Sequence, residues 1–203
     1  MTVTPYFEQD GVTLYHGDCR EMLPGLGRFD LLLTDPPYGL GDRMKGGTWG
    51  CAEKYDVMRT WDQETPSDDT LKLCLSRATN AVVWGGNYFS MPPTRCLLIW
   101  DKSNAVPTMA SAEVAWTNFD KPVKTFRGKV GEHTHGHPTQ KPLPLMRWCL
   151  TLVPDAKTIL DPFAGSGTTL LAARLEGRQA VGIEISERYC EIAANRLRQK
   201  LLF

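Results

Sequence analysis

The sequence carries no excess of charge of either sign: Lys and Arg number 23, Asp and Glu number 23, and the formal net charge is zero. A global electrostatic field therefore gives no support to nucleic-acid binding, and any such contact must rest on local patches. The six cysteines (Cys19, Cys51, Cys74, Cys96, Cys149 and Cys190) include no Cys-x-x-Cys pair. That fits neither a zinc ribbon nor a small disulfide framework, so reduced thiols are expected, several of them in the core. No apolar run approaches the roughly 18 residues of a membrane helix, and no membrane partner is expected. Met1 to Asp10 lacks a basic start and an apolar stretch, so nothing points to export and the cytoplasm is the expected compartment. There is no internal repeat and no linker-like segment. Residues 1–203 are expected to fold as a single domain with a sizeable core.

What is present reads most clearly in the second half. Thr158-Ile159-Leu160-Asp161 is a short apolar run ending in an acid, and a glycine-rich turn follows. From Ser166 to Glu176, Leu170, Leu171, Ala172, Ala173 and Leu175 predict a packed helix with Gly177 as its C-terminal cap. Ala180 to Ile185 predicts another strand. Ser186 then caps a helix whose Tyr189, Ile192, Ala193, Arg196 and Leu197 recur at helical spacing. In the first half, strands are expected at Val12 to Tyr15, Phe29 to Thr34, Ala81 to Trp84, Leu97 to Trp100 and Glu113 to Thr117. Continuous apolar runs such as Phe29 to Leu33 suit strands covered on both faces. The fold class is α/β, a mostly parallel Rossmann-like sheet with helices on both faces. Residues 39–67 and 118–138 read as irregular.

Two segments carry chemistry. Asp35-Pro36-Pro37-Tyr38 directly follows a buried strand, where α/β folds place ligands. Successive prolines fix φ and remove two backbone donors, leaving a rigid acceptor platform. An exocyclic amino group on a base is a poor nucleophile because its lone pair is delocalised. If the Asp35 carboxylate and the Pro36 carbonyl each accept one N–H, that lone pair is aimed at a methyl donor, with Tyr38 stacked on the base. An ordinary Pro-Pro turn is the alternative. The second segment, Asp161-Pro162-Phe163-Ala164-Gly165-Ser166-Gly167-Thr168, joins a strand end to a helix start, and Glu184 follows about 20 residues on, where an acid can hold ribose hydroxyls. Leu170 stands where a dinucleotide fingerprint needs its third glycine. That favours a ligand without phosphates, such as S-adenosylmethionine, over a nicotinamide cofactor.

The chain resembles the β group of DNA amino-methyltransferases, in which the catalytic tetrapeptide precedes the cofactor loop. The resemblance rests on Gly17-Asp18, Asp35 to Tyr38, His137-Pro138-Thr139-Gln140-Lys141-Pro142, and Asp161 to Thr168 with Gly182-Ile183-Glu184. It implies a catalytic loop of Asp35, Pro36, Pro37 and Tyr38. It also implies an S-adenosylmethionine site with Asp18 near the adenine and Glu184 at the ribose. Asp35, Asp161, Phe163, Gly165, Ser166, Gly167 and Thr168 would surround the methionine end, with Thr139 and Lys141 bearing on the same pocket. By their local sequence alone, Asp18 also reads as a turn residue, Thr139 as a cap for a helix beginning near Pro142, and Lys141 as a solvated charge.

Asp at the first tetrapeptide position implies adenine N6 as the acceptor. Cytosine N4 is the rival within enzymes, and an inactive nucleic-acid-binding protein on the same fold is the rival outside them. The expected partner is double-stranded DNA, with the target base flipped into the pocket. Lys121, Lys124, Arg127 and Lys129 are the best phosphate-binding candidates, with Arg43, Lys45, Lys54, Arg59 and Trp49 in the other loop. His133, His135 and His137 alternate, but no metal is expected, since transfer from a sulfonium needs none. With no segment long enough for a separate recognition region, a short recognition sequence or a homodimer is expected.

Overall fold

The computed structural model describes residues 4–40, 63–106, 110–130 and 140–199. The strands among the described residues are β1 (Phe7–Gln9), β2 (Val12–His16), β3 (Phe29–Thr34), β4 (Ala78–Trp84), β5 (Leu97–Lys102), β6 (Ala112–Thr117), β7 (Lys124–Gly128), β8 (Thr158–Asp161) and β9 (Gln179–Glu184). The helices are α1 (Cys19–Met22), α2 (Asp68–Ser76), α3 (Leu143–Thr151), α4 (Thr168–Leu175) and α5 (Glu187–Arg198). The strands form one sheet in the order β1-β2-β9-β8-β3-β4-β6-β5-β7. From β2 to β4 the neighbours run parallel, whereas β6 is antiparallel to both β4 and β5.

Alternation along the strands explains why both faces are covered. In β3, Leu31 and Leu33 point into a core shared with Leu145 and Cys149 of α3, Leu170 of α4 and Leu197 of α5. Leu32, between them, joins Cys19 and Met22 of α1 and Cys74 of α2 on the opposite face. All three leucines are fully buried, so truncating any of them to alanine should cost about 2–5 kcal/mol. This is the expected α/β architecture of a mostly parallel sheet between helices.

The expected strands are all present, and several extend beyond the bounds read from sequence. Two strands were not legible. β1 and β7 form the edges of the sheet, and β7 lies inside the stretch 118–138 that reads as irregular. The helix expected from Ser166 begins at Thr168, because Gly167 adopts φ +77 and serves as its N-cap residue. Ser186 occupies the N-cap position of α5, but its hydroxyl makes no cap bond. Its backbone N–H instead donates to Glu184 Oε1 at 2.8 Å. The N-cap residue of α3 is Pro142, with no side-chain cap bond. Cys19, Cys74, Cys96, Cys149 and Cys190 are buried free thiols, as expected.

The parallel strands β2, β3, β4, β8 and β9 end along one edge of the sheet, and β5 ends there too. β6, running the other way, begins there. Asp18, Asp35, Gly85, Lys102, Glu113, Asp161 and Glu184 are thereby gathered from distant parts of the sequence. The chain leaves β3 toward β4 in one direction and β8 toward β9 in the other. The β3/β8 boundary is therefore a topological switch point, where α/β sheets open a crevice.

Candidate active site

Asp35 leaves the end of β3, whose last residue, Thr34, donates its hydroxyl to Asp161 Oδ1 at 2.7 Å. That bond ties the two segments singled out in the sequence. Pro36 is buried. The Tyr38 hydroxyl donates to Asp35 Oδ1, and Lys141 Nζ donates to Asp35 Oδ2 at 2.6 Å and to the Tyr38 hydroxyl at 3.0 Å. The Lys141 ammonium also sits over the Tyr38 ring, 5.2 Å from its centroid. Lys141 is only 7% exposed, so it is not a solvated surface charge. It belongs to the tetrapeptide's own hydrogen-bond network.

The Tyr38 ring is stacked on Tyr88, with centroids 4.8 Å apart and planes 12° from parallel, and meets Phe89 edge-on. Room for it comes from Gly85 at the end of β4. A Cβ there would lie 2.1 Å from the tyrosine ring, and φ is +71, a conformation glycine adopts without strain. Tyr88 itself is 45% exposed. Tyr88 thus lines the mouth of the site, while Phe89 packs against the core. Sequence reading missed Gly85, Tyr88 and Phe89, although Gly85-Gly86 directly after an apolar run was an available turn signal.

Burial raises the pKa of Asp35, with the nearby Glu113 charge acting in the same sense, while Lys141 and the Tyr38 hydroxyl oppose it. Burial also works against the Lys141 ammonium, but Asp35, Tyr38 and Glu113 together hold its pKa well above the usual lysine range. Lys141 therefore stands as an ammonium, and its charge is what offsets the burial of Asp35. Burial pushes the Tyr38 phenol well up, reinforced by Asp35, so it remains a donor.

The glycine-rich turn lies beside this loop. Gly165 and Gly167 have φ of +50 and +77, and a Cβ on Gly167 would press to 2.9 Å from Ala193 Cβ. Glu184, at the end of β9, accepts the Gly165 N–H at 2.7 Å through Oε2 and the Ser186 N–H through Oε1. A carboxylate has about four lone-pair positions, so acceptor capacity remains on both oxygens. Asp18 caps α1, accepting the Arg20 N–H at 2.8 Å, and pairs with the exposed Arg20 side chain. It stands between strand and helix, at the end of β2 next to the end of β9.

Arg196 of α5, read from sequence only as part of an apolar stripe, is buried behind the turn. Its guanidinium donates to Ser166 O at 2.5 Å, Ser166 Oγ at 2.9 Å and Thr168 Oγ1 at 3.2 Å. Burial lowers its pKa to about 10. Ser166 Oγ also reaches Gln140 Oε1 at 3.3 Å, so the turn is joined to the segment that delivers Lys141. Phe163 is half-buried, and Asp161 and Thr168 are buried.

Among the basic residues expected on DNA, Lys121 is exposed and donates to Leu152 O at 2.9 Å, and Lys124 begins β7 at the far edge of the sheet. Arg127 and Lys129 are exposed near the site's edge, Arg127 beside Asp101 at 3.4 Å. Thr139, the run from His133 to His137 and the basic residues of the 41–62 loop lie outside the described residues.

The family model described as DNA methylase, of the N6/N4 type, matches residues 82–195. The chain is 29% identical to the Type II methyltransferase M.ScaI of Streptomyces caespitosus, over 95% of this chain and 83% of that protein. Its fold is similar to the crystal structure of the M1.HpyAVI–SAM complex, with a TM-score of 0.64, 21% identity, and coverage of 93% of this chain and 100% of that one. It is equally similar to the PvuII DNA methyltransferase, described as cytosine-N4-specific, with a TM-score of 0.63, 15% identity, and coverage of 100% and 92%.

Proposed function

Because the chain belongs to the N6/N4 DNA methylase family, we propose that it transfers the methyl group of S-adenosylmethionine to the N6 amino group of adenine in double-stranded DNA. The observation that carries this reading is the junction of the Asp35–Tyr38 loop and the glycine turn at the β3/β8 switch point, joined by the Thr34–Asp161 bond.

The residues fit the cofactor. The positive φ of Gly165 and Gly167 shapes the turn and Gly167 lets it pack on Ala193, Glu184 keeps acceptor capacity for ribose hydroxyls, and Asp18 stands at the adjacent strand end. S-adenosylmethionine supplies an electrophilic methyl group on a sulfonium, so the chain's own work is to prepare the amino group. An adenine flipped from the duplex replaces the Tyr38 hydroxyl at Asp35 Oδ1, and the Tyr38 ring moves from Tyr88 onto the base. Asp35 and the Pro36 carbonyl then accept the two N–H groups, which directs the nitrogen lone pair outward. Lys141 keeps Asp35 ionised for that task. After transfer, the carboxylate raised by burial is a competent acceptor for the proton that the amine must lose.

Asp at position 35 supports adenine. The likeness to a cytosine-N4-specific enzyme means that the fold does not separate the two acceptors. Incubating the protein with unmethylated DNA and labelled S-adenosylmethionine, then digesting to nucleosides, tests the reading. N6-methyladenine is the expected product. N4-methylcytosine would replace the acceptor, and no labelled nucleoside from DNA would reject the function. Duplex and single-stranded arms test the strandedness, and the solution mass in the presence of DNA tests the homodimer.

A further inference from the structure

Lys141 is not held by the tetrapeptide alone. Its Nζ reaches Glu113 Oε2 at 3.1 Å, and Glu113 Oε1 is in turn 2.5 Å from Lys102 Nζ. Glu113 is the second residue of β6 and Lys102 the last of β5, and the register pairs Glu113 with Trp100. The two are therefore fixed on the rigid strands that end beside Asp35. Both lysines are buried, at 7% and 9% exposure. Two ammonium groups and two carboxylates alternate in a chain, Lys102, Glu113, Lys141, Asp35, with no net charge.

We propose that Glu113, anchored by Lys102, is a positioning residue for methyl transfer: it holds Lys141 against Asp35 Oδ2 while Tyr38 is displaced from Oδ1 by the target base. The inference rests on the function proposed above and extends it. An ammonium has three donors: here it donates to Asp35 and the Tyr38 hydroxyl and pairs by charge with Glu113 Oε2, 3.1 Å away. When Tyr38 swings onto a base, one of these contacts is lost. Without Glu113 the flexible lysine would keep a single tether and could follow the tyrosine, and Asp35 would lose both its orientation and its counter-charge. Glu113 stays ionised for this role: burial opposes the charge, but Lys141 and Lys102 outweigh it and lower its pKa.

The charged groups facing Lys141 are Asp35 and Tyr38 from the loop after β3 and Glu113 from β6. Lys102 stands behind Glu113, and Asp161 lies beyond Asp35. Removing the Glu113 charge lowers the proton affinity of both Lys141 and Asp35, so both limbs of the kcat–pH profile should move to lower pH in Glu113→Gln. Removing a positive charge in Lys102→Met should move them to higher pH. Glu113→Gln should lower kcat roughly 10- to 100-fold, the scale of a small misplacement in an active site, with the KM for S-adenosylmethionine nearly unchanged. Glu113→Asp, which keeps the charge on a shorter arm, should return the limbs toward wild type.

An unchanged kcat, or a fall in kcat with neither limb displaced, overturns the proposal. Titrating Lys141 by NMR in protein labelled at lysine nitrogen separates the two levels of inference. If wild-type protein methylates no DNA, the function proposed above fails, while a downward shift of Lys141 in Glu113→Gln still supports the tether and an unmoved titration overturns it.

Discussion

Lys141 Nζ lies 2.6 Å from Asp35 Oδ2, although 106 residues separate them in the chain. This contact makes a single unit of the strand-end tetrapeptide and the segment that enters α3. Replacing Lys141 by methionine leaves two partly buried carboxylates, Asp35 and Glu113, without their shared cation. Breaking a fully buried pair costs about 3–5 kcal/mol, and the partial exposure of both carboxylates makes that the upper bound here. It also removes the group that lowers the Asp35 pKa, so in Lys141→Met the acid limb of methyl transfer should move to higher pH. Rate profiles together with urea unfolding check both effects, and an acid limb that stayed in place would contradict the pairing.

Tyr38 has two separable parts. Tyr38→Phe removes the hydroxyl that occupies Asp35 Oδ1 but keeps the ring, so affinity for target DNA should hold or improve. Tyr38→Ala removes the stacking surface, which for a base on an aromatic ring is worth about 1–3 kcal/mol. Its affinity for target DNA should fall roughly 5- to 150-fold by that measure. Fluorescence of a 2-aminopurine at the target position follows base entry directly. Equal effects of the two substitutions would remove the ring from the binding role.

Arg196 should act on the cofactor turn and not on the base. Three acceptors in residues 166–168 take its guanidinium, and with a pKa of about 10 it remains charged near neutral pH. Arg196→Met is expected to weaken S-adenosylmethionine binding by calorimetry about 10-fold or more, since it leaves buried acceptors unsatisfied. At saturating cofactor, kcat should stay within a few-fold of wild type. A loss confined to kcat would refute this assignment.

The parts of the fold legible in the sequence are those fixed locally. β3 and β8 are continuous apolar runs because both faces are covered, and Gly165 and Gly167 mark a turn that other residues adopt poorly. The edge strands β1 and β7 escaped notice because half-solvated, polar residues such as Glu8, Lys124 and Arg127 give no apolar signature. In the site, Asp35 and Glu184 were readable as acids at strand ends. Lys141 was readable only through resemblance, and Glu113, Lys102 and Arg196 not at all, because their roles depend on strand order. β6 brings Glu113 to the site only because it runs antiparallel to β4, and no local pattern encodes that direction.

Asp161 gives the protein a specific dependence on pH. Burial raises its pKa to about 6, against the hydrogen bonds from Thr169, Thr34 and the Phe163 N–H, with Asp35 adding to the rise. The folded state therefore binds this proton more tightly than the unfolded chain, whose carboxyl titrates near 3.9. For a group raised on folding, the stabilising contribution is complete below the unfolded pKa and is lost as pH rises through the folded one. Asp161 should thus cost stability progressively between about pH 4 and 6, on the order of 3 kcal/mol in all. Asp161→Asn keeps an oxygen acceptor for Thr34 and the Phe163 N–H but cannot ionise. Its stability relative to wild type should accordingly rise across that window and level off above it. Urea denaturation of both proteins at several pH values from 4 to 7.5 measures the difference, and a constant gap would show that Asp161 does not titrate in this range.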